Sequence, residues 1–117
     1  MDPVEINAGS WYLRALRADE RVDDRPALAT GGINDPGYVE LRLQQWLSDV
    51  HYSWAVCEPS TGELLAEAGV TPDGDTARLT GWARAGHENA LTAALDSVRR
   101  FAESGLGLQV LAEHYRS

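Results

Sequence analysis

Three runs of alternating side chains in the second half of the chain constrain its fold more than any other feature. Short stretches rich in Pro, Gly and Asp separate the runs, and such stretches favour tight turns. The runs are "YSWAVCE", "ELLAEAGV" and "TARLTGWA", and the turns between them are "PSTG" and "TPDGD". Strands joined by turns this short pair with their neighbours in the chain, so residues 52–83 are predicted to form a three-stranded antiparallel meander.

An amphipathic helix is predicted directly after the meander. Its apolar residues recur at the spacing of one helix face, and they are Leu91, Ala94, Leu95, Val98, Phe101 and Ala102. Gly105 stands where a left-handed residue would end this helix. The run "LGLQVLAEHY" is predicted to be a strand, which the helical crossover places parallel to the last meander strand.

The first half of the chain has weaker patterns. Residues 11–17 alternate as a strand does, and a short helix is predicted from Arg25 to Ala29. Residues 38–49 place apolar side chains at helical spacing, and residues 1–10 are predicted to be a loose N-terminal segment. The order is strand, helices, antiparallel meander, helix and parallel strand, which is an α/β (α+β) fold class. A length of 117 residues suits a single domain.

Composition narrows the classes of partner. A net charge of −8 and a pI near 4.7 argue against nucleic acid and anionic membranes, whereas a basic small molecule remains open. No signal-peptide pattern or membrane-length apolar run is present, so a soluble cytoplasmic protein is expected. His51, His87, His114 and Cys57 lack metal-ligand spacing, so no metal site is expected, and Cys57 is predicted to be a small buried group.

Four stretches of the sequence, taken in order, resemble the GNAT acetyltransferases, in particular the branch similar to ribosomal-protein N-terminal acetyltransferases. They are "WYLRALRADERVDDRPAL", "YSWAVCEPSTGELLAEAGV", "ARLTGWA" and "ALTAALDSVRRFAESGLGLQVLAE". The resemblance runs from about residue 11 to about residue 113 and implies one GNAT-like domain with a mixed sheet over residues 1–117. In that family another helix and two more strands follow, so it also implies a truncated fold that lacks the family's last helix and strands.

The resemblance implies an acetyl-CoA site at the end of the last meander strand. In the family the pantetheine arm pairs with that strand's backbone, and the diphosphate rests on amides that open the next helix, where the helix dipole favours an anion. The residues that match this site are Trp82, Ala83, Arg84, Gly86, His87, Asn89 and Ala90.

This stretch departs from the glycine-rich loop of the family. Gly86 is the only glycine left in it, and Glu88 stands in the first turn of the predicted helix. A carboxylate there stabilises the helix N-terminus by roughly 0.3–1 kcal/mol and repels a diphosphate. Arg84 and His87 restore some positive charge. The sequence therefore leaves two outcomes open, a vestigial site without cofactor or weak binding of acetyl-CoA.

Catalytic candidates are few. The resemblance implies a Tyr as general acid on a later helix, and Tyr115 is the Tyr closest to the end of the sequence. Glu67, within an apolar strand, is the candidate general base, and its alternative is an outward-facing strand residue. Trp46, Trp54 and Trp82 could line a substrate groove, but aromatic residues on amphipathic elements favour the core.

Two functional classes follow. The first is a GNAT-fold protein with a degenerate acetyl-CoA site that acts by binding or self-association. The second is an active acetyl-CoA-dependent N-acetyltransferase that acts on an amine or a protein N-terminus. A last strand with an unpaired outer edge predicts a homodimer formed through that strand, and a protein partner is also open.

Overall fold

A computed structural model describes the backbone of residues 1–116 and the side chains of residues 1–111. One mixed sheet has the strand order β1-β2-β3-β4-β5-β6. In chain order the elements are β1 Ile6–Ala8, β2 Trp11–Arg14, α1 Arg25–Thr30, α2 Tyr38–Leu47, β3 Tyr52–Cys57, β4 Leu64–Asp73, β5 Thr76–Ala83, α3 Glu88–Arg100, a π-helix Phe101–Gly105 and β6 Gln109–Arg116. The predicted α/β class with a mixed sheet is confirmed.

The predicted antiparallel meander is formed by β3, β4 and β5. Each strand pairs antiparallel with the next, with Tyr52 opposite Val70 in the first pair. Gly62 and Gly74 lie in the two connections at φ of 73° and 60°, which a residue with a Cβ rarely adopts. β6 lies parallel to β5, as the predicted crossover through a helix requires.

The sheet is apolar on both faces because helices cover both. Trp54 and Val56 of β3 belong to the larger core cluster, which also holds the buried residues of α3. The alternate residues Ala55 and Cys57 belong to a second cluster with Leu28 of α1. Because successive strand residues point to opposite faces, α3 packs against one face, whereas α1 packs against the other.

The C-terminal end of α3 differs from the prediction. Its apolar stripe is buried as expected, but Gly105 does not end the helix in a left-handed conformation. The chain continues as the π-helix, and the left-handed glycine is Gly107 at φ 69°. Across the wider π turn, the Phe101 ring meets Trp54 edge to face, with ring centroids 5.5 Å apart. A methyl group at Gly105 would lie 3.3 Å from Phe101 Cδ1, so this glycine permits close packing against that ring.

Part of the N-terminal segment expected to be loose is ordered as strand β1. Ile6 pairs with Leu13 of β2, and Gly9 at φ 65° makes the turn between the two strands. Trp54 Nε1 also donates to the Val4 carbonyl at 2.6 Å. A strand of three residues is too short to show alternation, so the expectation of a loose segment was wrong for residues 6–8.

β2 ends at Arg14, three positions before the predicted end at residue 17. The buried guanidinium of Arg14 donates to both carboxylate oxygens of Asp24 at 2.8 Å. Asp24 also accepts from the Arg17 amide at 2.7 Å, and Arg14 Nη2 donates to the Gly62 carbonyl at 3.1 Å. This buried ion pair fixes the loop that leads into α1 against the turn between β3 and β4.

Candidate functional site

A cleft opens where β5 ends and α3 begins, which is where the resemblance places acetyl-CoA. Its volume is about 350 Å³, and it is lined by Thr30, Gly31, Trp82, Ala83, Arg84, Ala85 and Glu88. A neighbouring cleft of about 440 Å³ shares Thr30 and Arg84 with it and reaches the turn between β3 and β4. The first cleft brings together three of the predicted cofactor residues, namely Trp82, Ala83 and Arg84.

The other four predicted cofactor residues do not line this cleft. Gly86 lies exposed in the loop at φ 87°, and His87 is the N-cap residue of α3. Asn89 is exposed in the first turn, whereas Ala90 is fully buried in the core. These four residues therefore do not converge on one ligand position.

Glu88 contacts the loop rather than the amides of the helix. It is the first residue of α3, and its Oε1 accepts from the Gly86 amide at 3.4 Å. The Ala90 and Leu91 amides bond to the His87 carbonyl, and no side chain caps the helix. Glu88 therefore acts on the start of α3 through its negative charge alone, because its carboxylate does not accept hydrogen bonds from the helix amides.

Arg84 points away from the start of α3. Its Nη1 donates to the Glu63 carboxylate and, at 3.0 Å, to the Leu64 carbonyl. Its backbone amide continues the pairing with β4 by donating to the Leu65 carbonyl at 2.9 Å. The guanidinium of Arg84, which was expected to attract a diphosphate, is therefore held at the turn between β3 and β4.

Glu67 is the centre of a buried hydrogen-bond cluster. Its residue is 3% exposed, and its Oε1 accepts from Trp82 Nε1 at 3.0 Å. Its Oε2 accepts from Arg42 Nε at 3.0 Å, and the Tyr38 hydroxyl lies 2.7 Å and 2.9 Å from the two oxygens. Arg42 Nη2 also donates to that hydroxyl at 2.8 Å. Burial, together with the Glu67 charge, raises the pKa of Tyr38 well above its ordinary value.

These contacts correct the alternative proposed for Glu67, an outward-facing strand residue. Glu67 faces inward, since it is bonded to Tyr38 and Arg42 of α2. These two residues are one helical turn apart and lie on the same face of the helix. A general base needs a free lone pair beside the proton that it removes. Both oxygens of Glu67 are engaged with donors from α2 and β5, so this carboxylate joins α2 to the sheet. The i, i+4 pair of Tyr and Arg was the sequence signal for this cluster.

Trp82 forms the wall between the buried cluster and the cleft. It is 7% exposed, and a methyl group at Gly31 would lie 2.3 Å from its Cζ3 atom. The indole therefore packs directly against the backbone at the end of α1, which requires glycine at that position. Trp46 and Trp54 are core residues, as the sequence favoured, and their rings meet edge to face at 5.0 Å.

The edge of β5 that faces away from β4 is paired with β6. The parallel register runs from Thr76 opposite Gln109 to Trp82 opposite Arg116, with one irregularity between Ala77 and Leu79. The resemblance places the pantetheine arm on the backbone of β5, whose other edge is paired with β4. Backbone groups already bonded to a neighbouring strand have no free donor or acceptor for such an arm. The Tyr115 backbone pairs with Gly81, but its side chain lies outside the described residues.

Two other residues considered for chemical roles, Cys57 and His51, are buried. Burial raises the pKa of Cys57 to about 11, so its thiol stays protonated and unreactive. Burial also lowers the pKa of His51 to about 4. Among the side chains of residues 1–111, no three His, Cys, Asp or Glu residues are grouped to hold a metal ion. No helix within residues 1–116 is long and apolar enough to cross a membrane.

The fold is similar to that of several solved acetyltransferases. A protein from Vibrio cholerae, assigned as a ribosomal-protein-serine acetyltransferase, superposes with a TM-score of 0.75 at 17% identity, over 92% of this chain and 72% of that one. An acetyltransferase from Agrobacterium tumefaciens gives a TM-score of 0.61 at 21% identity, over 90% and 70% of the two chains. A protein from Sphaerobacter thermophilus, assigned as an acetyltransferase, gives 0.63 at 17% identity, over 95% and 70%.

Sequence comparisons add no closer relative. No family model matches the chain, and no curated protein matches it. At identities this low, the structural likeness shows the fold and does not transfer a substrate or a reaction. The chain has the fold of these acetyltransferases, so the resemblance seen in the sequence is confirmed at the level of fold.

Proposed function

We propose that this protein has a degenerate acetyl-CoA site and acts by binding or self-association rather than by acetyl transfer. The observation that carries this proposal is the pairing of β6 along β5 as far as Trp82 opposite Arg116. A strand edge can accept either a neighbouring strand or the amide groups of a pantetheine arm, and here a strand takes it. The residues present do not fit acetyl-CoA bound as the resemblance implies.

The loop before α3 supports the same conclusion. Glu88 places a carboxylate on the Gly86 amide, in the loop that a diphosphate would approach, and Arg84 is bound to Glu63 and the Leu64 carbonyl. Charge repulsion at the helix start is therefore not offset by the nearest guanidinium. Glu67 adds to this, because it is 3% exposed and its oxygens are held by Tyr38 and other donors that an attacking amine would have to displace.

Calorimetric titration with acetyl-CoA tests the proposal. We expect no heat at millimolar ligand, whereas micromolar affinity would overturn the non-catalytic proposal and favour an N-acetyltransferase acting on an amine or a protein N-terminus. The similarity to solved acetyltransferases is what supports that second function.

The variant Glu88→Gly should gain coenzyme A affinity because it removes a carboxylate and a Cβ. Glu88→Gln, which removes the charge alone, separates the contribution of charge repulsion from that of the side chain's bulk.

Self-association through β6 is the second part of the proposal. Within residues 1–116, β6 is the outermost strand on its side of the sheet, so no strand in that range pairs with its outer edge. An eight-residue edge readily pairs with the same edge of a second copy across a two-fold axis. We expect a dimer in sedimentation experiments at micromolar concentration, with β6 amides that exchange more slowly as concentration rises. A monomer at that concentration would contradict it. A cytoplasmic location is part of this proposal.

A further inference from the structure

The amino group of Met1 is bound in a small polar site at the end of α2. Its nitrogen donates to the Trp46 carbonyl and to Asp49 Oδ1, both at 2.8 Å. One acceptor is a carboxylate, which forms charge-assisted hydrogen bonds with an ammonium group. The other is a carbonyl in the last turn of a helix, where the negative end of the helix dipole favours a cation. Both acceptors therefore select a positively charged donor.

The carboxylate of Asp49 is held in place by an unusual backbone conformation and by a second donor. Asp49 has a φ of 60°, and it is the one residue other than glycine with a positive φ in the part of the chain that the structure describes. This conformation is uncommon for a residue with a Cβ, so its surroundings have to stabilise it. The Tyr52 hydroxyl donates to the same Oδ1 atom at 2.8 Å. The amine and this hydroxyl together lower the pKa of Asp49, which keeps its carboxylate charged.

The residues that follow Met1 connect this site to the edge of the sheet. The side chains of Met1 and Val4 pack against the larger core cluster. The Val4 carbonyl accepts from Trp54 Nε1 at 2.6 Å, and β1 begins two residues later at Ile6. Residues 1–8 are therefore fixed at one end by the amine on α2 and at the other by the pairing of β1 with β2.

We propose that the end of α2 is a binding site for an ammonium group, and that the amine of Met1 in this site holds β1 against β2. β1 has three residues, and so short a strand gains little stability from its own pairing. It therefore depends on the contacts that fix the segment before it. The order of this sheet edge is then sensitive to the chemical state of one amine, independently of acetyl-CoA binding. Loss of the amine's charge would release β1 and expose the edge of β2.

Acetylation of the amine tests the proposal in the folded protein. The sequence contains no lysine, so the amine of Met1 is its only primary amine and the target of an N-hydroxysuccinimide ester of acetic acid. The amine attacks the ester carbonyl, loses a proton and expels N-hydroxysuccinimide, which leaves a neutral amide. Hydrogen exchange followed by NMR should then be about fivefold faster at the β1 amides, since an exposed ion pair contributes up to about 1 kcal/mol, and unchanged at the β4 amides. Unchanged exchange at β1 would overturn the proposal.

Asp49→Asn removes the charge from the other side of the same contact. Asn tolerates the left-handed backbone, so the variant keeps the local conformation. We expect faster exchange at β1, and a smaller effect of acetylation in this variant than in the unchanged protein, because both changes remove one interaction. Glu40→Gln is the control, since Glu40 is an exposed carboxylate of α2 that accepts from Gln44. An equal effect of acetylation with and without Asp49, or faster exchange at β1 in Glu40→Gln, would contradict the proposal. If Asp49→Asn does not fold, the acetylated protein decides alone.

Discussion

Protonation of His51 should make the stability of this protein depend on pH between the folded and unfolded pKa values of one side chain. Burial, and to a lesser extent the charge of Arg42, lowers the pKa of His51 from 6.5 to about 4. The native state therefore holds a neutral imidazole. As pH falls below about 6.5, His51 becomes protonated in the unfolded chain but stays neutral in the folded chain. The free energy of unfolding therefore decreases until the pH nears the folded pKa.

The magnitude follows from the separation of the two pKa values. One pKa unit corresponds to about 1.36 kcal/mol, and the linkage relation gives a loss of about 2 kcal/mol in the free energy of unfolding between pH 7 and pH 5. The loss approaches about 3 kcal/mol near pH 4. Carboxylates with lowered pKa values, such as Asp19 at about 2, lose their stabilising charge below this window. The upper part of the window therefore reports mainly on histidine.

Urea unfolding followed by tryptophan fluorescence measures this slope. The unchanged protein and His51→Gln are compared at several pH values from 7 to 5, with His87→Gln as the control because it removes an imidazole from the surface. We expect the slope to persist in His87→Gln and to disappear in His51→Gln. A slope that survives in His51→Gln would refute the assignment of the pH dependence to His51, as would an NMR titration of this ring with an ordinary midpoint.

Three further substitutions test how the site is built. Glu67→Gln removes the charge at the centre of a buried cluster and should lower the free energy of unfolding by about 3 kcal/mol in urea titrations, whereas an outward-facing residue would change it by less than about 0.5 kcal/mol. Gly31→Ala should cost about 1–3 kcal/mol and alter the near-UV circular dichroism, because the new methyl group displaces Trp82; an unchanged spectrum would contradict that contact. Asp24→Ala leaves a buried guanidinium unpaired and should cost about 3–5 kcal/mol, whereas Asp23→Ala, at an exposed pair, should cost much less; equal losses would contradict the difference in burial.

The elements that local pattern determines were predictable from the sequence. The meander has two turns with glycines in left-handed conformations, and α3 has a long apolar stripe, so neighbouring residues carry the information. β1 was missed because its three residues gain their stability by pairing with β2. The end of α3 was misplaced because packing of the Phe101 ring, rather than the position of Gly105, decides how the last turn is wound.

The position of a cleft was predictable, but the contacts around it were not. The sequence placed the candidate site at the end of β5, and a cleft lies there, with Trp82 and Arg84 in its lining. The hydrogen-bond partners of Glu67 could not be predicted from neighbouring residues in the sequence. They come from α2 and β5, which lie next to Glu67 only in the folded protein. Likewise, the partners of Arg84 lie twenty positions earlier in the chain, across the sheet.

The buried thiol of Cys57 gives this protein a built-in reporter of its own opening. The residue is fully inaccessible, it is the single cysteine of the chain, and burial keeps its sulfur in the inert protonated form. An alkylating reagent added to the native protein can therefore modify only molecules in which the cluster that covers Cys57, with Leu28 of α1, has transiently opened. The labelling rate, read by mass spectrometry without denaturant, would give the population of that open form directly.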